Sequence, residues 1–202
     1  MELVIVSGSQ RKDSQSAKVA QYLMQQIPPS HAVKHIELCQ YQLPFWDGDP
    51  ESKTTDGSRW PFISQQVKRA DALILITPEW GGMASPLMKN FLLMCDNQDT
   101  AHKPALLVSV VSGISGGYPI AELRMNALKN NKLVATPDHL IIRNVEQVLN
   151  TEQAVDDRDK HLRERIDYCL YMLAQYSEAL TVIRSHHQDK PYPKQQEYSY
   201  GM

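Results

Sequence analysis

The chain has 202 residues, three cysteines and a formal net charge of −2, with 42% apolar and 22% charged residues. This length suits one domain with a full core, and the near-neutral charge gives no electrostatic footing on nucleic acid or on an anionic membrane. Cys39, Cys95 and Cys169 are odd in number, widely spaced and free of any CxxC pairing, which argues against a disulfide framework or zinc site and fits a reducing compartment.

The N-terminus enters an apolar run at Leu3 without a basic region or cleavage site. No apolar stretch approaches the ~20 residues that a spanning helix needs. A cytoplasmic protein is expected. Short apolar runs at 3–6, 33–38, 72–76, 105–111 and 140–142 are rich in Val, Ile and Leu on both faces, the pattern of strands buried on both sides of a parallel sheet. Between them, amphipathic stretches at 16–26, 58–69, 86–95 and 120–131 predict helices. The strict alternation implies an α/β fold, a three-layer flavodoxin-like sandwich with helices on both faces of a five-stranded parallel sheet. The order 2-1-3-4-5 follows from that fold class and is not encoded directly.

A last helix is expected over 151–184. Thr151 reads as its N-cap, and Glu152, Asp156, Asp157 and Asp159 load its first turns with negative charge. Leu162, Ile166, Cys169, Leu173, Tyr176, Leu180 and Ile183 form its apolar stripe. The domain is expected to span 1–185, and the polar segment 186–202, with Pro191 and Pro193, reads as a tail.

Three loops follow the first, third and fourth strands, which are neighbours in the expected order, so their carboxyl ends should meet at one place. The first is GSQRKDSQS, 8–16. Gly8 permits a tight turn, Ser7, Ser9, Ser14 and Ser16 offer hydroxyls, Arg11 offers a cationic fork, and the next helix offers free N–H groups. A monophosphate dianion wants these groups; the same residues also read as a serine-rich turn with a solvated Arg. The second is TPEWGGMASP, 77–86. Pro78 stiffens the strand exit, Glu79 and Trp80 stand at its end, and Gly81 and Gly82 let backbone approach a planar ligand. The alternative is a surface loop with Trp80 tucked into the core. The third, SGISGGY, 112–118, can follow a ring without side-chain clash, or serve as a plain flexible connection. No Walker or GxGxxG motif is present.

At these residues the chain resembles the NADPH-dependent FMN reductase family of flavodoxin-like quinone, azo and flavin reductases. GSQRKDSQS matches that family's GSxRxxSxS, and TPEWGGMASPLMKN aligns without a gap to TPEYNxSxPGxLKN, with Thr77, Pro78, Glu79, Lys89 and Asn90 matching and Trp80 in the Tyr slot. The resemblance covers residues 1–145. Gly81 stands in the Asn slot and Met83 in the Ser slot, departures that bear on affinity and substrate choice. The resemblance implies an FMN phosphate held by Ser9, Arg11, Ser14 and Ser16. It implies ring contacts from Pro78, Glu79, Trp80, Gly81, Gly82, Ser112, Gly113, Ile114 and Gly116.

It also implies an NAD(P)H-dependent oxidoreductase that passes hydride from NADPH or NADH to FMN and on to a small-molecule quinone, azo or flavin-type acceptor by a ping-pong route. The chemistry lies with the flavin, so no acid–base residue is named. No metal, nucleic acid or membrane partner is expected. The alternatives are an FMN electron carrier without nicotinamide turnover and a regulatory module with a decayed flavin site. A homodimer or homotetramer is implied. Phe45 and Trp46, apolar in the loop after the second strand, either cover a neighbour's flavin or pack into their own core.

Overall fold

A computed structural model describes residues 1–195, 197 and 198. The apolar runs form β1 (Glu2–Ser7), β2 (Ala32–Glu37), β3 (Ala72–Trp80), β5 (Pro104–Val110) and β6 (Val134–Ile142), with a two-residue β4 (Met83–Ala84). The helices are α1 (Gln15–Gln26), α2 (Trp60–Arg69), α3 (Pro86–Met94), the short α4 (Asn97–Thr100), α5 (Gly117–Asn126) and α6 (Asp157–Asp189). Five parallel strands pair in the order β2-β1-β3-β5-β6, and β4 turns back antiparallel on the end of β3. This is the expected order, with the numbering displaced by β4.

Strand alternation builds two cores from one sheet. Val4, Val6, Leu73, Leu75 and Leu107 pack with Trp60, Ile63 and Val67 of α2, Met88 and Phe91 of α3, and Ile120 and Leu123 of α5. Leu3, Ile5, Ile74, Ile76, Leu106 and Val108 face the other way, onto Val19, Ala20 and Leu23 of α1 and Ile166, Cys169 and Leu173 of α6. The result is the three-layer sandwich.

Two boundaries differ from expectation. α6 starts at Asp157 with Asp156 as N-cap, not at Thr151, whose hydroxyl donates to the Gln153 carbonyl instead. The deciding group is the buried Asp159 carboxylate, which accepts the N–H groups of Leu149 and Val155 and pairs with Arg163 at 3.0 Å. It ties the approach segment to the helix and forbids an earlier start. At its other end α6 continues through residue 186 to Asp189. The segment at 196 and 199–202 lies outside the described residues. Trp46 and Phe45 also separate. Trp46 packs against the core under Lys53, whereas Phe45 is 78% exposed. No helix among the described residues is long and apolar enough to cross a membrane.

Burial alone would raise the Asp159 pKa, but Arg163 and the two backbone N–H groups outweigh it and hold the carboxyl below its ordinary value. A depressed folded pKa contributes stability that is complete above the unfolded value of about 3.9 and is lost as pH falls through the folded value. Asp159→Ala should cost about 3 kcal/mol at pH 7, the scale of a broken buried pair. Urea titrations between pH 7 and pH 3 should show the gap between wild type and variant constant near neutrality and shrinking below about pH 4.

Candidate functional site

β1, β3 and β5 are adjacent, so their carboxyl ends deliver the three loops side by side. Register makes this specific: Ser7 pairs with Ile76, Thr77 with Ser109 and Pro78 with Val110. The Gly8 N–H continues the ladder by donating to the Ile76 carbonyl at 2.8 Å. A Cβ on Gly8 would lie 2.8 Å from Met88 Cβ, so only glycine lets the β1 loop pass this close to α3.

Beyond Gly8, the buried Ser9 hydroxyl accepts the Arg11 N–H at 3.1 Å and closes the loop. Ser14 caps α1, its hydroxyl accepting the Ala17 N–H, and Ser16 is buried in the first turn. Helix geometry leaves the first N–H groups of α1 open to an anion, with the positive dipole end behind them. The Arg11 side chain is exposed, and its guanidinium lies 5.0 Å from the Trp80 ring centroid, within cation–π range. Arg11 therefore joins the first loop to the second.

The second loop is mostly strand. Pro78, Glu79 and Trp80 continue β3, with Pro78 buried and Trp80 37% exposed, and Glu79 and Trp80 pair with Ala84 and Met83 of β4. Pro78 thus lies within the strand, not at its exit, and Trp80 is not tucked into the core. Gly81 and Gly82 make the turn, with φ of +58° and +78°. The Glu122 carboxylate of α5 accepts the Ala84 N–H at 2.7 Å and the Lys89 ammonium at 3.0 Å. Burial would raise the Glu122 pKa; these two partners reverse that and hold it low.

The third loop carries exposed Ser112, Gly113 and Ile114, and then Ser115, whose hydroxyl donates to the Glu79 carboxylate. The other Glu79 oxygen, Oε1, is buried without a hydrogen-bond partner among the described residues. Arg143 Nε donates to the Ser115 carbonyl at 2.9 Å and Asn144 N–H to the Gly113 carbonyl at 3.0 Å, fixing the loop from β6. Gly116 closes it with φ +98°.

The structure therefore brings all thirteen expected residues to one end of the sheet, on three adjoining segments. Four supporting residues were not foreseen. Ser85 caps α3, accepting the Met88 N–H, and donates its own hydroxyl proton to the Gly8 carbonyl; the Ser85-Pro86 pair, an N-cap before an N1 proline, was the available signal. Ser115 lies inside the 112–118 loop without having been among its expected contacts, and Glu122 and Arg143 left no local signal.

The family of NADPH-dependent FMN reductases matches residues 1–147. A 120-residue segment is 30% identical to a quinone reductase of Pseudomonas putida, covering 57% of this chain and 63% of that one. A 117-residue segment is 29% identical to an NADPH azoreductase of Bacillus sp. (strain OY1-2), covering 58% and 62%. The matched segment thus spans less than two thirds of either relative. A flavoenzyme NAD(P)H:(acceptor) oxidoreductase of Paracoccus denitrificans overlays with a TM-score of 0.70 at 20% identity, covering 87% of this chain and 98% of that one. An archaeal flavodoxin overlays at 0.53 with 14% identity, covering 90% and 99%. Both share the fold.

Gly116 offers a direct test of how tightly the third loop is built. A Cβ there would lie 2.4 Å from Ile141 Cγ2, at a positive φ. Gly116→Ala should destabilise the protein by about 1–3 kcal/mol and weaken ligand binding at the site. Thermal melts and FMN titrations of the variant check both.

Proposed function

The chain belongs to the NADPH-dependent FMN reductase family, and from that premise we propose that it binds FMN across the three loops and oxidises a reduced nicotinamide at the expense of a small acceptor. The convergence of the Arg11 loop, the Gly81–Gly82 hairpin and the Ser112–Gly116 segment at one end of the sheet carries this reading.

The residues present fit the group. Arg11, the Ser9, Ser14 and Ser16 hydroxyls and the α1 N-terminus form a donor set for a terminal phosphate, and an Arg fork suits phosphate geometry. The unpartnered Glu79 Oε1 is an acceptor that fits a ring N–H. Backbone of Gly81, Gly82, Gly113 and Gly116 would face a planar ring without side-chain interference from these residues. Pro78, Trp80, Ser112 and Ile114 complete the proposed surround.

What FMN supplies when bound is the two-electron chemistry, hydride uptake from NADPH or NADH and delivery to a quinone, azo or flavin-type acceptor in two half-reactions. The protein's share is orientation. Arg11 would hold the phosphate from its position over the Trp80 ring. Ser115 fixes the Glu79 carboxylate, and Glu122 with Lys89 holds the hairpin against α5.

Purified protein should carry a heat-releasable cofactor that co-elutes with FMN, and should oxidise NADPH or NADH with a quinone. Co-elution with FAD, or no turnover with FMN added, would overturn the proposal. Arg11→Ala should weaken FMN binding roughly tenfold to a hundredfold, since a hydrogen bond to a charged group contributes ~1.5–3 kcal/mol. Its melting temperature without flavin should hardly change. Lys12→Ala should cost much less, and a comparable loss would assign the effect to general positive charge. Fluorescence quenching of FMN measures each.

Assembly belongs to the same proposal. Met83, Ile114 and Tyr118 of the site loops are 54%, 81% and 71% exposed, and Phe45 adds a further exposed ring. Apolar groups clustered at a site rim suit a covered surface, and we propose a homodimer or homotetramer. Light scattering at micromolar concentration should report it, and a monomer throughout would remove it.

A further inference from the structure

At the amino ends of β3 and β5, opposite the flavin loops, lies a cavity of about 510 Å³ between the end of α2, the turn before β5 and the last turns of α6. Its walls carry five basic side chains, Lys68, Arg69, Lys103, Lys132 and Arg184. Two carboxylates share the lining, Asp71 and Asp99. Lys68 stands 3.4 Å from Asp99 and Arg184 3.7 Å from Asp71, longer than a charge-assisted hydrogen bond. The lining thus holds a surplus of three positive charges, in a chain whose formal net charge is −2.

The positive groups crowd one another. Lys103 is buried, and its ammonium donates to the Val67 and Lys68 carbonyls at 2.8 and 2.7 Å, the last turn of α2. Burial, with Arg184 beside it, pushes Lys103 down to about 8. The His102 and His187 rings meet edge to face at 4.6 Å, and Arg184 donates to the His102 carbonyl at 3.1 Å. Burial lowers the His102 pKa, and His187, Lys132 and Arg184 lower it further. Burial first, and cationic neighbours second, press Lys103 and His102 toward their neutral forms, and an anion among them favours the charged form of both.

We propose that this cavity is a second anion site, selective for a diphosphate, free or carried on a nucleotide. The volume lies in the ~300–1,000 Å³ range of small-molecule sites and exceeds what a lone phosphate fills. Three surplus charges distributed over α2, the segments before β5 and β6, and α6 match an extended trianion better than a compact monovalent one. Lys68, Lys103 and Lys132 act as point charges and Arg184 as a fork. The site shares no residue with the flavin loops, so it stands whether or not those loops bind FMN.

The test is calorimetric titration of FMN-saturated protein at pH 7 with inorganic pyrophosphate, and separately with ADP, at an ionic strength fixed with NaCl. Saturable one-site binding is expected, and the His102 and His187 imidazole NMR signals should shift along the same isotherm. The double variant Lys68→Gln, Lys132→Gln should bind at least tenfold more weakly, with unchanged FMN affinity and an unchanged melting temperature without ligand. Tighter binding of ADP assigns the site to a nucleotide, and tighter binding of pyrophosphate to the free anion. Absence of saturable heat, NMR shifts reproduced by NaCl alone, or full affinity in the double variant overturns the proposal. So does loss of pyrophosphate binding in Arg11→Ala, which would place the anion in the flavin loop.

Discussion

Gly8 and Ser85 form the contact on which the rest of the site depends. Gly8 stands where β1 leaves the sheet, its N–H bound to Ile76 and its carbonyl receiving the Ser85 hydroxyl. Ser85 in turn receives the Met88 N–H, and its own N–H donates to the Thr77 hydroxyl at 2.9 Å. One small residue therefore ties the exit of β1 and the start of α3 through its hydroxyl, and β3 through its backbone N–H. Because Ser85 is fully buried, losing its hydroxyl would leave several polar groups unsatisfied at once, which costs more than the net value of one hydrogen bond. The Gly8–Met88 approach makes the same junction sterically intolerant. The β1 loop is thus held by the sheet and by α3 as well as by the Ser9–Arg11 bond within it.

From that junction, order passes outward through polar links. Glu122 holds β4 to α5 through the Ala84 N–H, and Lys89 returns the charge from α3. Ser115 reaches across to Glu79, and Arg143 holds Ser115 from the edge strand. Arg11 closes the circuit by lying over Trp80. Residues far apart in sequence are thus joined side chain to side chain or side chain to backbone around one end of the sheet.

What could be read from the sequence follows from how locally each feature is written. The central strands announce themselves because both faces are buried. β6 was read only at 140–142, although it starts at Val134. Its first half contains Thr136, Pro137, Asp138 and His139, and its pairing with β5 is irregular between Ala105 and Leu107. A proline and polar residues are tolerated there because β6 is an edge strand, so the buried-strand pattern never forms. The start of α6 was misplaced because Thr151 and Asp156 are both plausible caps, and only the buried Asp159, acting through Leu149 and Val155, decides between them. The convergence of the three loops was legible because glycine and serine declare backbone conformation by their identity. Ser115 and Arg143 were not, because their role exists only once strands distant in sequence are neighbours.

The Gly81 departure from the family pattern shows why residue identity and conformation need to be weighed separately. Gly81 and Gly82 both have positive φ, the requirement of the two-residue turn that joins β3 to β4 with the twist of a hairpin. Asparagine is the residue that best tolerates this region after glycine. An Asn-Gly turn and a Gly-Gly turn therefore specify the same backbone, and glycine in the Asn slot preserves the hairpin while removing one amide side chain. Nothing lies within 4 Å of a Cβ built at Gly81 except the flexible end of Met83, at 3.8 Å. An exposed thioether therefore lies beside the turn. The backbone of the turn is retained, and at its side an adaptable apolar chain stands exposed.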